Sequence, residues 1–149
     1  MRVDGVTTGL GERYQEAKFR DPTRTAAVVE EFTTLIDVRP LEPADVVVAV
    51  PSRTPLASAF AAAIADALHA PLAPSESLTF TRDVVELKKV DPAARAGYVC
   101  GALRARAVTG TVVLVDDVVR TGSMIAEAAR ALRAVGASDV MALAMLVVD

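Results

Sequence analysis

Two adjacent carboxylates followed by a short polar turn are the residues best suited to chemistry in this chain. Asp116 and Asp117 come directly after the apolar run 112–115, and Thr121, Gly122 and Ser123 follow shortly before a predicted helix. The start of a helix offers unpaired backbone N–H groups and a partial positive charge to a phosphate. Carboxylates accept strong hydrogen bonds from hydroxyl groups. This order of residues therefore predicts a site for a sugar phosphate.

The elements that must position these groups follow from apolar periodicity. Continuous apolar runs over 46–50, 112–115 and 140–148 predict strands buried in a parallel sheet. Helical spacing predicts helices over 24–36 and 56–68, and a further helix whose apolar face runs from Ile125 to Val135 and which ends near Gly136. Alternating strands and helices are typical of a three-layer α/β/α sandwich with a mostly parallel central sheet. The acid pair then lies where its strand ends, at the carboxyl edge where such sheets bind ligands.

The remaining segments are less regular. We expect residues 1–11 to form a loop or a weak edge strand and residues 14–19 a short helix. The polar stretch 83–97 shows no period and is interpreted as a mobile loop, and residues 98–104 are predicted to form a strand.

Length and composition limit the class of protein. The 149 residues suit one domain, 1–149, with residues 1–40 as a candidate N-terminal hood or helical segment. The net charge of −3 and the pI near 5.2 argue against nucleic acid as the main partner. A single cysteine forms no disulfide within the chain, and no signal peptide is apparent. The apolar region 56–73 is interrupted by Asp66 and Pro71, so it does not suit a membrane span. We therefore expect a soluble cytoplasmic protein without a membrane span.

Other proteins also place paired acids after a strand. A Walker B strand requires a G-x-x-x-x-G-K-[ST] loop, which this chain lacks. Receiver domains carry their acid pair early in the chain, whereas Asp116 and Asp117 come late. A structural alternative also stays open, in which the two acids have no functional role and only cap a helix or lie in solvent.

Residues 115–124 resemble the signature of the type I phosphoribosyltransferases. That signature is an apolar strand, two acids, two small or apolar residues and then Thr-Thr-Gly-x-Thr. The wider pattern, over roughly residues 15–149, is closest to the ComF-like branch: a Val50-Pro51 loop, a Lys- and Arg-containing loop over 88–95, Gly101-Ala102 and an end at Asp149. Two positions depart from the signature, since Arg120 replaces the first threonine and Met124 replaces the last.

The resemblance implies a ligand and a reaction. The ligand is phosphoribosyl pyrophosphate with Mg²⁺, and the reaction transfers the phosphoribosyl group to a nitrogen nucleophile, such as a nucleobase, with release of pyrophosphate. It also implies a homodimer, no membrane partner and no nucleic acid. Alternatives are a non-catalytic regulatory protein that binds phosphoribosyl pyrophosphate or a nucleotide, and a ComF-like accessory protein of DNA uptake.

The same resemblance assigns roles to residues. Asp116 and Asp117 would be catalytic, accepting hydrogen bonds from the ribose hydroxyls, with Mg²⁺ held nearby through ligand and water rather than by protein. The expected ligand-binding residues are Ser52, Arg53, Val118, Val119, Arg120, Thr121, Gly122, Ser123 and Met124. A lid over the pyrophosphate would use Lys88, Lys89 and Arg95, although a solvated charged loop is an equal alternative, as is an exposed loop arginine for Arg53.

Four aromatic side chains could also contact a bound base. Tyr14, Phe19, Phe80 and Tyr98 are candidates to stack on a base, with ordinary packing the better expectation. We expect Cys100 to be a buried core residue and His69 to be structural.

Overall fold

The computed structural model of the protein describes residues 2–3, 6–7, 9–84 and 89–148, with 2–3 and 6–7 described by their backbone alone. The strands are β1 (Arg2–Val3), β2 (Val6–Thr7), β3 (Val46–Ala49), β4 (Leu78–Phe80), β5 (Leu103–Ala105), β6 (Gly110–Val119) and β7 (Ala137–Val147). The α-helices are α1 (Gly9–Phe19), α2 (Thr25–Thr34), α3 (Leu56–Leu68), α4 (Arg95–Val99) and α5 (Ser123–Ala134). Short 3₁₀ turns lie at Pro22–Arg24, Arg39–Leu41, Ser75–Ser77 and Pro92–Ala94.

A parallel sheet in the order β3-β6-β7 forms the centre of the molecule. Val47 pairs with Val113 of β6, and Asp116 lies opposite Ala144 of β7. A further parallel bridge joins Val47 to Leu72, so the extended segment after α3 runs beside β3. β1 with β2, and β4 with β5, form two small antiparallel pairs.

Each face of the sheet carries its own apolar core, because successive side chains of a strand point to opposite faces. On one face Val47, Val113 and Val115 pack with Phe60 and Ile64 of α3, together with the buried residues of α1 and α2. On the other face Val48, Val112 and Leu114 pack with Ala128 and Leu132 of α5. Helices therefore cover both faces, which confirms the predicted three-layer α/β/α fold with a parallel central sheet.

The segment before β5 differs from the prediction. The sequence predicts one strand over residues 98–104, but Tyr98 and Val99 belong to α4, and the strand β5 covers only Leu103–Ala105. The reason is local: the side chain of Asp91 accepts the N–H of Ala93 at 2.8 Å, and Pro92 follows it, which starts a helical turn. The predicted loop 83–97 is thus partly helical, and its residues 85–88 lie outside the described residues. Cys100 follows α4 and is exposed, so its predicted burial is wrong.

The strand of the acid pair is longer than its apolar run. β6 continues past residue 115 to Val119, because β7 pairs beside it as far as Val147. The two acids therefore lie within the strand rather than beyond its end. β7 begins at Ala137, is half-exposed along most of its length, and does not form the fully buried strand expected over 140–148. Near the N-terminus, α1 starts at Gly9, inside the predicted loop.

Candidate functional site

The end of β6, the following loop and the first turn of α5 enclose a pocket of about 180 Å³. Its lining consists of every residue from 116 to 125 except Asp117, together with Arg95. A single strand–loop–helix unit thus brings Asp116 and the predicted phosphate-binding residues 118–124 to one cavity. Asp116 is the carboxylate of that cavity, and Arg95 and Arg120 are its basic residues.

The loop places the start of α5 toward this pocket. Gly122 adopts φ +73° at the N-cap position, and a Cβ there would meet nothing within 4 Å, so the backbone conformation rather than space favours glycine. No described side chain caps the helix. The N–H groups of Ser123, Met124 and Ile125 therefore lack an intrahelical partner at the pocket wall. The hydroxyls of Thr121 and Ser123 lie 2.9 Å apart beside them. This is a suitable environment for an anion.

Asp116 is a buried carboxyl group on the pocket wall. Only 8% of the residue is exposed, and its Oδ1 accepts the backbone N–H of Asp117 at 2.8 Å. Burial, with the neighbouring charge of Asp117, raises the pKa of Asp116 to about 7. The group therefore changes its charge close to neutral pH.

Asp117 has a different environment from Asp116. Its Oδ2 accepts from Nζ of Lys18 at 2.5 Å and from the phenol of Tyr14 at 3.2 Å. Nζ of Lys18 also donates to the Tyr14 oxygen at 2.7 Å, which closes a triangle of three polar groups. Burial and the charge of Asp117 raise the pKa of Tyr14 well above its usual value, so the phenol keeps its proton and donates it.

This placement bears on the expectation that both acids meet the ribose. Adjacent residues of a strand point to opposite faces, so Asp117 contacts α1 while Asp116 lines the pocket beside α5. Oδ2 of Asp117 already accepts from an ammonium and a phenol on the α1 side of the strand. The structure therefore brings Asp116, but not Asp117, to the pocket lined by residues 118–125.

The other predicted residues are placed as follows. Ser52 and Arg53 follow β3, whose Ala49 pairs with Val115, and neither lines the pocket. Arg53 instead forms an ion pair with Asp83 at 3.0 Å, and both side chains are exposed. Arg95 is buried in the first turn of α4 and donates Nε to the carbonyl of Val90 at 3.0 Å. Lys89 is exposed and Lys88 lies outside the described residues, so the lid stays a prediction.

Lys18 and Glu127 were missed by the sequence analysis. Lys18 stands four residues after Tyr14, a spacing that puts both on one helix face, but nothing local links them to Asp117. Glu127 is buried on α5, accepts the N–H of Leu103 at 3.3 Å and is held by Arg130 at 2.7 Å. The hydrogen bond from Arg130 holds the pKa of Glu127 below its usual range. Glu127 therefore fixes α5 against β5 behind the site.

The described side chains offer no direct site for a metal ion. Over residues 9–84 and 89–148 the structure shows no group of three or more His, Cys, Asp or Glu side chains able to hold one. Asp117 is already paired with Lys18, so the acid pair does not fit direct coordination of Mg²⁺.

Comparisons with known proteins give little beyond this. No family model matches the chain, and no curated protein matches its sequence. Among solved structures, a UMP synthase from Leishmania donovani is similar, with 24% identity and a TM-score of 0.47. The match covers 83% of this chain and 22% of that one, so the chain spans less than a quarter of that protein's length. Within the described residues, no helix has both the length and the apolar character to cross a membrane.

Proposed function

We propose that the protein is a phosphoribosyltransferase that takes its phosphoribosyl group from phosphoribosyl pyrophosphate. The observation that carries this proposal is the pocket itself, in which the buried carboxyl of Asp116 and the uncapped first turn of α5 face one cavity. A ribose 5-phosphate unit needs this pair of features, an anion site beside an acceptor for hydroxyl groups.

In the proposed complex the 5′-phosphate accepts hydrogen bonds from the N–H groups of Ser123 and Met124 and from the hydroxyls of Thr121 and Ser123. Met124 stands where the signature has a threonine, so one hydroxyl donor to the phosphate is missing. The guanidinium of Arg120, which lines the pocket, replaces that donor. Asp116 accepts from a ribose hydroxyl. These contacts orient the sugar so that its anomeric carbon faces the open side of the pocket.

The reaction breaks the bond between the anomeric carbon and pyrophosphate, whose oxygen leaves with the electron pair. The lone pair of a nitrogen nucleophile, such as a nucleobase, forms the new bond, and that nitrogen loses its proton to solvent. Positive charge develops on the ribose during this step, and ionised Asp116 stabilises it across a buried, low-dielectric wall. Mg²⁺ would be held by the oxygens of the pyrophosphate donor, since residues 9–84 and 89–148 offer no direct ligand set. Ser52, Arg53, Lys89 and Arg95 remain proposed contacts of the pyrophosphate.

A second candidate is a regulatory protein that binds the same ligand without turnover. The observation that favours it is the engagement of Asp117 by Lys18 and Tyr14, which leaves one carboxyl group rather than two at the pocket. Both candidates share the ligand and differ in pyrophosphate release. We further propose that the protein is a homodimer, which analytical ultracentrifugation tests directly.

The experiment combines calorimetry with an assay of pyrophosphate release from phosphoribosyl pyrophosphate and Mg²⁺ over a panel of nucleobases. We expect binding, and turnover with at least one base. Asp116→Asn should abolish turnover, and Ser123→Ala should weaken binding about 3–10-fold. Asp139→Asn is the matched control, because Asp139 is exposed and pairs with Thr111 at the opposite end of β6. Binding without release supports the regulatory candidate, whereas no binding removes both.

A further inference from the structure

A buried group of three polar side chains lies outside the pocket and has no part in the reaction proposed above. Lys18, Tyr14 and Asp117 are joined by three contacts of 2.5, 2.7 and 3.2 Å, and the side chain of Lys18 is 14% exposed. The contacts bring α1 against the central strand of the sheet. Tyr14 itself is only 1% exposed, so the group is part of the packed interior.

The charge of the acid pair requires a partner. Asp116 and Asp117 are both buried on adjacent positions of one strand, and two buried carboxylates without a cation are strongly unfavourable. A buried carboxylate can meet this requirement with a divalent cation or with an ammonium group. Here, within the part of the chain that the structure describes, Lys18 is the basic residue that forms an ion pair with either acid.

The ammonium group is also held in position. Its nitrogen lies 5.3 Å from the ring centre of Tyr14 and 5.7 Å from that of Phe19, so two aromatic rings of α1 flank it. The hydrogen bond to the Tyr14 oxygen fixes the direction of one N–H, and Asp117 receives another. A lysine held by these contacts is a counter-ion in a fixed position, unlike a lysine whose side chain moves freely at the surface.

We propose that Lys18 is a built-in counter-ion that takes the place of a divalent cation at Asp117. It is a positioning residue: it holds the carboxylate of Asp117 turned toward α1, and it keeps metal ions off that carboxylate. The proposal concerns the acid pair of the free protein and does not depend on phosphoribosyl transfer.

The test is a titration of the full chain with Mn²⁺ alone, followed by electron paramagnetic resonance. We expect the wild-type protein to bind Mn²⁺ weakly, with an affinity that Asp117→Asn leaves unchanged. Lys18→Met keeps an unbranched side chain of similar size but removes its charge, and it should raise the Mn²⁺ affinity at least tenfold. The double variant Lys18→Met with Asp117→Asn should lose that gain.

Arg13→Met is the matched control, since Arg13 lies on the same helix but pairs with Glu31 at the surface. It should leave Mn²⁺ affinity unchanged. A purely structural salt bridge would predict no gain in Lys18→Met, and that result overturns the proposal. If Lys18→Met does not fold, Lys18→Gln replaces it. The wild-type protein provides an independent test: binding of Mn²⁺ that Asp117→Asn abolishes also overturns the proposal.

Discussion

The ammonium of Lys18 lies 2.5 Å from Oδ2 of Asp117, a residue 99 positions further along the chain. This contact joins the first helix to the central strand and separates the roles of two neighbouring acids. Asp117 is bound to α1, whereas Asp116 lines the pocket at the start of α5. An acid pair that looks uniform in sequence is therefore divided between an ion pair in the interior and a candidate site.

Removing one partner of this buried pair should destabilise the protein strongly. Lys18→Met leaves the charge of Asp117 uncompensated, and we expect a loss of about 2–4 kcal/mol in the free energy of unfolding. Asp117→Asn should cost a similar amount, and the double variant clearly less than the sum, with a coupling above about 1 kcal/mol. Urea denaturation measures the free energy of unfolding of the wild type, the two single variants and the double variant. Arg13→Met, which removes an exposed ion pair, should change stability by less than about 1 kcal/mol. Additive losses would show that the two groups do not interact.

The stability of the protein should depend on pH through Asp116. Because its pKa rises from 3.8 to about 7 on folding, the folded state keeps a proton that the unfolded state releases between these values. Stability should therefore fall as the pH rises from about 4.5 to 7, by on the order of 1 kcal/mol per pH unit. Thermal melts across this window measure the slope.

Asp116→Asn should flatten this dependence, because an amide does not titrate, while Asp139→Asn should retain it. The carboxyls whose pKa is lowered, such as Glu127, act in the opposite sense, and their contribution is lost as the pH falls below about 4.5, at the lower edge of the window. A wild-type melting temperature that rises steadily from pH 4.5 to 7 would contradict the assignment.

The glycine before α5 should be sensitive to substitution for conformational reasons alone. Gly122→Ala places a side chain at φ +73° with no steric contact, so we expect a loss of about 1 kcal/mol from backbone strain. Gly97→Ala is the control, because Gly97 lies in α4 and also has open space around it. That change should be neutral or stabilising by up to about 1 kcal/mol. Equal effects of the two changes in chemical denaturation would argue against strain.

The buried carboxylate of Glu127 should contribute to the stability of the fold and not to the charge of the pocket. Glu127→Ala leaves the N–H of Leu103 without its acceptor and should cost about 2–3 kcal/mol. Glu127→Gln keeps an acceptor and should cost roughly 1 kcal/mol. Differential scanning fluorimetry with denaturant titration measures the stability of both variants. Arg130→Ala, on a half-exposed side chain, should cost less than Glu127→Ala, and the reverse order would contradict the role given to Glu127.

Much of the fold was predictable because its signals are local. The helix over 56–68 has the predicted bounds, since an apolar period of 3.6 residues and flanking prolines act within one segment. The strand over 46–50 and the helix after Gly122 were found for the same reason. The prediction of a strand over 98–104 failed, because apolar residues over so short a stretch suit a helical turn equally well. The decision there came from Asp91 and Pro92, which start the turn.

The sequence by itself determined the layered fold and the loop that faces the pocket, because both follow from short-range patterns of apolar residues, glycine and hydroxyls. Only the tertiary structure decided what each acid does. Strand β6 continues through Asp116 and Asp117 because β7 pairs alongside, and the alternation of a paired strand then turns the two carboxyls to different neighbours. Lys18 reaches Asp117 because α1 packs on one face of the sheet, a contact between distant segments that no local pattern encodes.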